Sequence, residues 1–277
     1  MEYILHFSGE TPPYVDLCIQ NIKDVDPSAN IIFCTDTNYK NKNVQTINLN
    51  EITNQLIKDV ENLNYFDKDS SPLWRTSLLR IFYLLSAAQL FSIKEFVHFD
   101  TDVLIYKSHK ELKKEFETDK LNITPEKENS LVFGYSFISG LSNYEKVCLD
   151  IYEIMKDSKY YERRFFNNTK LNEMMILNLA LIKNPKYFNL LPTTPNKKNS
   201  IIFDPNSYGQ YLGGIDNKFL SKKTINASQY SGRAMLKEGF RPKFNKGKPY
   251  IKYEGKKVEL ANLHIHKKNL NKFIKKV

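Results

Sequence analysis

An apolar run, Phe96 to Phe99, ends in Asp100-Thr101-Asp102, and a carboxylate pair at that place can do chemistry. Side chains alternate along an extended chain, so His98, Asp100 and Asp102 share one side, the two aspartates about 7 Å apart at Cα. Oxygen ligands at that spacing suit a hard divalent cation, Mn²⁺ or Mg²⁺, which commonly recruits substrate phosphates to complete its shell. The plainer alternative is a solvated turn after a strand. A second concentration of functional groups closes the chain. His264 and His266 fall with Asn262 on one side of an extended segment, and Lys267 and Lys268 follow directly. Imidazoles can ligate Mn²⁺, and lysines offer point charges to phosphate oxygens. Arg80 stands alone inside LLRIFYLL. A guanidinium among so many apolar neighbours needs a carboxylate or phosphate to offset its desolvation, so it is either half of an internal ion pair or a ligand contact.

These residues depend on the elements that carry them. Tyr3 to Ser8 reads as a short apolar strand, the Pro12-Pro13 turn leads into a helix to about Ile22, and Asn30 to Asp36 is a second strand. Val44 to Leu49 is a third, followed by a helix near Glu51 to Leu63. Ser71 and Pro72 supply an N-cap and first-turn proline for a long helix that begins at Leu73 and carries Trp74, Arg75 and Arg80. In that helix Trp74 is expected to pack rather than to stack on a base. Strands alternating with helices imply a mainly parallel sheet that binds ligands beyond the carboxyl ends of its strands, where Asp100 and Asp102 lie. Further on, Leu131 to Ser139 is strand-like, Tyr144 to Met155 and Leu171 to Ile182 are helical, and Phe203 to Gly214 is a polar loop. Val258 to His266 reads as a last strand. The expected fold class is α/β, in one continuous domain over residues 1–277 with halves at 1–106 and 107–277.

The chain has 277 residues and 41% hydrophobic content, enough for a large core. Its net charge of +10 is uneven: from Lys222 onward there are 16 basic and 3 acidic residues, against 25 and 28 before. Such a terminus suits an anionic partner, or is a solvated basic face. Cys18, Cys34 and Cys148 form neither a disulfide framework nor a zinc pattern. With no signal-peptide pattern and no apolar stretch long enough to span a bilayer, a soluble cytoplasmic protein is expected. Leu270, Phe273, Ile274 and Val277, interleaved with lysines, could form a basic amphipathic helix touching the inner face of an anionic membrane, or could simply pack on the domain.

The succession TSLLRIFYLL then HFDTDVLIY resembles the helix and D-x-D strand of bacterial GT-A-type nucleotide-sugar glycosyltransferases, and IFDPNSYGQYLGGID and NLHIHKKNL are similar to later segments of that group. The resemblance implies a GT-A-like fold and transfer of a hexose-type sugar to a hydroxyl acceptor. It further implies a UDP-sugar donor, a glycan or lipid-linked acceptor, and a setting in capsule or lipopolysaccharide assembly. By the same resemblance Asp100, Asp102, His264 and His266 would hold Mn²⁺ or Mg²⁺. Arg75, Arg80, Asp100, Thr101, Lys267 and Lys268 would bind the donor. Glu173, Asp204 and Gln210 would serve catalysis, Glu173 as a candidate general base. Read without the resemblance, Glu173 is a carboxylate favoured by a helix start, and Asp204 an Asx turn before Pro205. Ser77, where relatives often carry Asp, and the SIKEF segment depart from the group's pattern and leave the donor sugar unnamed.

Two other classes fit parts of the sequence. A haloacid-dehalogenase-like phosphatase would use Asp100 as nucleophile, but it needs a downstream acidic pair that the sequence lacks. A nucleic-acid-binding protein would use the basic terminus, but no recognition motif accompanies the charge, so no nucleic-acid partner is expected.

Overall fold

A computed structural model describes residues 1–66, 72–127, 129–209, 240, 242–266 and 268–274. The expected opening is present as β1 (Glu2–Phe7), α1 (Tyr14–Val25), β2 (Asn30–Thr35) and β3 (Gln45–Asn48). The single helix expected over Glu51 to Leu63 is two, α2 (Leu49–Ile52) and α3 (Gln55–Glu61). Asn54 divides them, because its side chain accepts the Ile57 N–H at 3.0 Å and so starts a new helix. Next come α4 (Pro72–Leu90), β4 (Glu95–Phe99), β5 (Val103–Ile105) and α5 (His109–Leu112). They are followed by β6 (Leu121–Lys127), β7 (Ser130–Ser139), α6 (Leu141–Lys156), α7 (Ser158–Phe165) and α8 (Glu173–Lys183). The described chain finishes with β8 (Phe188–Leu190), β9 (Ile201–Ile202), β10 (Lys243–Asn245), β11 (Lys248–Tyr253), β12 (Lys256–Leu260) and β13 (Asn262–His264). Ser71, the expected cap of α4, lies outside the described residues.

The central sheet has seven strands in the order β3-β2-β1-β4-β7-β6-β8. Pairing is parallel from β3 to β4 and between β6 and β8, and antiparallel on both edges of β7. It is therefore the mixed, mainly parallel sheet with flanking helices that the sequence implies. Apolar side chains fill both faces: Ile4 joins a core with α4, α6 and α8, while Tyr3 and Leu5 join one with α1, β5 and β13. That is why β1 reads as a nearly continuous apolar run. From β1 the chain winds outward through β2 and β3, then returns to the other side of β1 as β4. The β1/β4 boundary is thus a topological switch point, and in open α/β sheets ligands bind in the crevice at such a point.

Two features deliver chemistry to that crevice. α4 is buried on every side from Leu78 to Ala88, as a helix without a polar face must be, and it carries Arg80 inward with it. β5 leaves the aspartate pair and joins β13 in a separate antiparallel ladder, with Val103 opposite His264 and Ile105 opposite Asn262. The last strand expected over Val258 to His266 is broken at Ala261 to make this possible: β12 pairs with β9 and β11, whereas β13 pairs with β5.

The Asn21 side chain on α1 holds β5 from another side, accepting from Ile105 N at 2.8 Å and donating to Ile105 O at 3.1 Å. Asn21→Ala strands both backbone groups in the core and is expected to cost about 3 kcal/mol, read as a lower urea midpoint with unchanged m-value. An unshifted midpoint would show that β5 does not need this clamp.

Candidate functional site at the carboxyl end of β4

β4 ends in a turn closed by the Val103 N–H on Asp100 O at 2.9 Å, and Asp100 N–H reaches Gly134 O on β7 at 3.1 Å. The register of β5 with β13 sets His264 beside this turn, and Ile265 N–H donates to Asp102 O at 2.8 Å. His264 Nε2 lies 3.0 Å from Asp102 Oδ1 and 3.7 Å from Asp100 Oδ2. One ligand atom from each of Asp100, Asp102 and His264 lies within 4.8 Å of the others. Two carboxylate oxygens and an imidazole nitrogen form a donor set that could hold a divalent cation. The two sequence halves therefore meet in one cluster. Gly134 makes room for the ring, since a β-carbon there would lie 2.9 Å from His264 Nδ1.

Asp204 fixes the backbone of this histidine. Its Oδ1 accepts the N–H groups of Asn206, Ser207 and Tyr208 at 3.1, 2.7 and 2.9 Å, and its Oδ2 those of Gly209 and His264 at 2.6 and 2.9 Å. Asn262 adds a reciprocal pair with the Asp204 backbone, at 3.0 Å in each direction. The expectation of a catalytic Asp204 is corrected here. The carboxylate is fully buried and committed to five backbone donors, so it positions His264 and has no access to substrate.

Arg80 lies between two carboxylates. Its Nη1 donates to Asp100 Oδ1 and its Nη2 to Glu173 Oε1, the latter at 2.7 Å, while its guanidinium carbon sits 5.7 Å from the Phe133 ring centroid. Burial opposes its charge, but Asp100 and Glu173 outweigh that and raise its pKa. Glu173 is the first residue of α8, behind the Asn172 cap, and burial raises its carboxyl above the usual range against the pull of Arg80. Glu173 opens a helix, as the reading without the resemblance has it, and it also lines the cleft. For Asp102, burial raises the carboxyl, yet His264 and Lys268 together hold it below the usual range. With one Asp100 oxygen on Arg80 and the other facing His264, a free phosphatase nucleophile is not what this arrangement offers.

Lys268 Nζ is bonded to Asp102 Oδ2, and its backbone takes a left-handed conformation with φ of 60° in a turn closed by its N–H on Ile265 O at 2.8 Å. The Thr101 side chain bonds that of Tyr14, whose ring lies 5.7 Å from the Lys268 ammonium. His266 does not join the ligand cluster as expected. It lies past the end of β13 and stacks on His264 at 4.4 Å between ring centroids, its Nε2 without a partner among the described residues. Arg75 is also corrected: it turns from the cleft to Glu61, at 3.7 Å, and the Phe66 ring, at 4.8 Å, because one residue's offset on α4 points it toward α3. Gln210 and Lys267 lie outside the described residues.

A cleft of about 590 Å³ opens over the cluster. His6, Phe7, Ser8 and Tyr14 line it near β1, and Leu73, Trp74, Ser77, Glu173 and Met174 near α4 and α8. Trp74, expected to pack, is 39% exposed at this wall. Sequence reasoning also missed Gly134, whose signal was a glycine inside an apolar strand, a common mark of close approach. At the terminus, Leu270 to Lys272 form a single 3₁₀ turn. Leu270 is fully buried, Phe273 O accepts the Tyr106 hydroxyl at 2.8 Å, and Phe273 stacks on Phe244. The apolar side chains described there pack on the protein. Among the described residues no helix is long and apolar enough to cross a membrane.

No protein-family model matches the sequence, and no curated protein matches it. Solved structures similar to this one include glycosyltransferases. Mouse xyloside xylosyltransferase 1 in its apo form is 13% identical over 73% of this chain and 88% of its own, at a TM-score of 0.45. Galactosyltransferase LgtC in complex with donor and acceptor sugar analogues is 12% identical over 96% of this chain and 87% of its own, also at 0.45. Likenesses at that level transfer neither activity nor substrate to this chain.

Two tests address this geometry. Asp204→Asn turns an amide N–H₂ toward backbone donors and is expected to cost about 2–3 kcal/mol and to weaken Mn²⁺ binding measured by electron paramagnetic resonance. Wild-type values for both would remove Asp204 from its organising role. His6, at the end of β1, is pushed down to about 3 by burial, reinforced by Arg80. Folding thus disfavours its imidazolium, the unfolded chain binds the extra proton below pH about 6.5, and stability falls as pH drops from there toward 3. The loss should approach 1.4 kcal/mol per pH unit at about pH 5. His6→Gln should reduce the slope of unfolding free energy against pH by that amount, and an unchanged slope would contradict the assignment.

Proposed function

We propose that this protein is a metal-dependent glycosyltransferase that moves a hexose-type sugar from a nucleotide sugar, a UDP-sugar by preference, to a hydroxyl of a glycan or lipid-linked acceptor. The observation that carries the reading is the Asp100, Asp102 and His264 cluster at the switch point of the sheet, beneath a cleft with a lysine at its edge. These three residues would hold Mn²⁺ or Mg²⁺, whose charge, when bound, stabilises a departing nucleoside diphosphate. Arg80 fixes the orientation of Asp100. Lys268 lies close enough to the cluster to pair with diphosphate oxygens, and Thr101 and Tyr14 border the same space. Glu173, held by Arg80 and made more basic by burial, stands on the opposite wall, where an acceptor hydroxyl can give up its proton. The chain acts as one catalytic unit, in the cytoplasm, in bacterial surface-glycan assembly.

A panel of nucleotide sugars incubated with Mn²⁺ should yield free nucleoside diphosphate from at least one donor. Asp100→Asn and Asp102→Asn should each lower that turnover roughly 10²–10³-fold while remaining folded by circular dichroism. Undiminished release in either variant, or in excess EDTA, sinks the metal-dependent reading, and an aspartyl-phosphate trapped at Asp100 would replace it with a phosphatase.

A further inference from the structure

The wall of the cleft formed by α4 is unlike the rest of the site. Leu73 and Trp74 stand at its rim, 69% and 39% exposed, with Met174 of α8 lining the same space. Large apolar side chains left in water beside a charged cluster mark a binding surface more than a packing one. Polar groups accompany them. Ser77 Oγ bonds Trp74 O at 3.2 Å, the Ser77 side chain also bonds Glu173, and Thr76 lines the cleft as well.

Distance along α4 assigns the wall to one substrate. Six residues of helix separate Trp74 from Arg80 by about 9 Å along the axis, and Arg80 grips Asp100. On the glycosyltransferase reading the nucleotide takes the other end of the cleft, in the β1/β4 crevice bordered by Phe7, Ser8 and Tyr14, because ligands of open α/β sheets bind at the switch point. A sugar leaving its diphosphate lies over the cluster, so the rim falls to the molecule that receives it. That molecule needs an apolar face for the indole and hydroxyls for Ser77, Thr76 and Glu173.

We infer that Leu73 and Trp74 form a shelf on which the acceptor lays the C–H face of a pyranose ring, with Trp74 as its specificity-determining contact. The inference rests on the glycosyltransferase reading and adds the class of acceptor: a glycoside, bound through its ring. An aromatic face and a C–H-rich ring exclude water from each other, and the hydroxyl edges of the ring remain free to reach the polar groups beside the shelf.

Trp74 is the chain's single tryptophan, so its emission reports on the shelf alone. The full chain, with Mg²⁺ in place of quenching Mn²⁺, is titrated with methyl glycosides of glucose, galactose, mannose and N-acetylglucosamine, and separately with UDP and with octyl glucoside. A saturable blue shift is expected with at least one methyl glycoside and none with UDP alone. For that glycoside, calorimetry should show affinity about tenfold weaker in Trp74→Ala and close to wild type in Trp74→Phe, both variants matching the wild-type melting temperature. The shelf is overturned if no methyl glycoside moves the emission, if UDP alone does, if only octyl glucoside does, or if the Ala and Phe variants bind equally well. Binding is read without turnover. A glycoside shift with no donor cleaved therefore defeats the transferase reading alone, and donor cleavage with no shift defeats the shelf alone.

Discussion

Three carboxylates, Asp100, Asp102 and Glu173, converge at one end of the sheet, and the surrounding structure answers the repulsion this creates. Two unit charges 4 Å apart interact by on the order of 4 kcal/mol at the effective dielectric of a protein surface, and by more when buried. Unpaired, at least one of the three would be held protonated. Their partners prevent this: Arg80 from α4 and Lys268 from the turn beyond β13 bring positive charge, and the His264 imidazole of β13 pairs with Asp102. The all-round apolar character of α4, the separate β5–β13 ladder and the left-handed turn at Lys268 are each a means of bringing one of these partners to this point.

The parts of the site that follow one another in the chain were legible in the sequence. β1, α1, β2 and β4 declare themselves by apolar runs between turn residues, and the D-x-D pair is visible because it directly follows such a run. Arg80 announced its need for a partner by its apolar neighbours, although the partners, Asp100 and Glu173, lie 20 and 93 residues away. Less was readable where pairing is non-local. The run from Val258 to His266 alternates like one strand, and only the competing claims of β9 and β5 break it at Ala261. His266 shares the parity of His264 but lies past the break, so alternation failed to place it. β6 escaped notice because Pro125 argues against a strand. It sits at a register shift, beyond the three residues that pair with β8, where a missing N–H does little harm.

Asp204 shows how a residue can be read correctly at one scale and wrongly at another. Asp before Pro-Asn-Ser signals an Asx turn, and the contacts with Asn206 and Ser207 are that turn. An acidic residue in a segment resembling an enzyme's also suggests catalysis. What decides between them is the fifth donor, His264 N, 60 residues on, which no local pattern reveals. A carboxylate that receives five N–H groups has little capacity left for a substrate proton, and its value lies in the rigidity it gives the backbone that carries His264. Deviation of a ligand by a fraction of an ångström weakens a metal site, so on the proposed metal-binding reading this commitment serves the cluster as directly as a ligand would.

The identity of Arg80 follows from the same geometry. The two carboxylates it joins come from different elements, Asp100 from the end of β4 and Glu173 from the start of α8, so the bridging group must present two donors in fixed relation. A guanidinium does this with Nη1 and Nη2, whereas an ammonium is a point charge with no fork. The planar head can also lie near the Phe133 ring while bonding through its edge. Arg80 Nε is left without a partner among the described residues, a cost the site tolerates because the other nitrogens are charge-assisted donors. One side chain thereby ties the wall of the cleft that bears Glu173 to the turn that bears Asp100 and Asp102. Moving either wall would stretch a buried ion pair, and breaking such a pair typically costs several kcal/mol. The cluster and Glu173 are thus held in register by the interaction that also allows them to be so close.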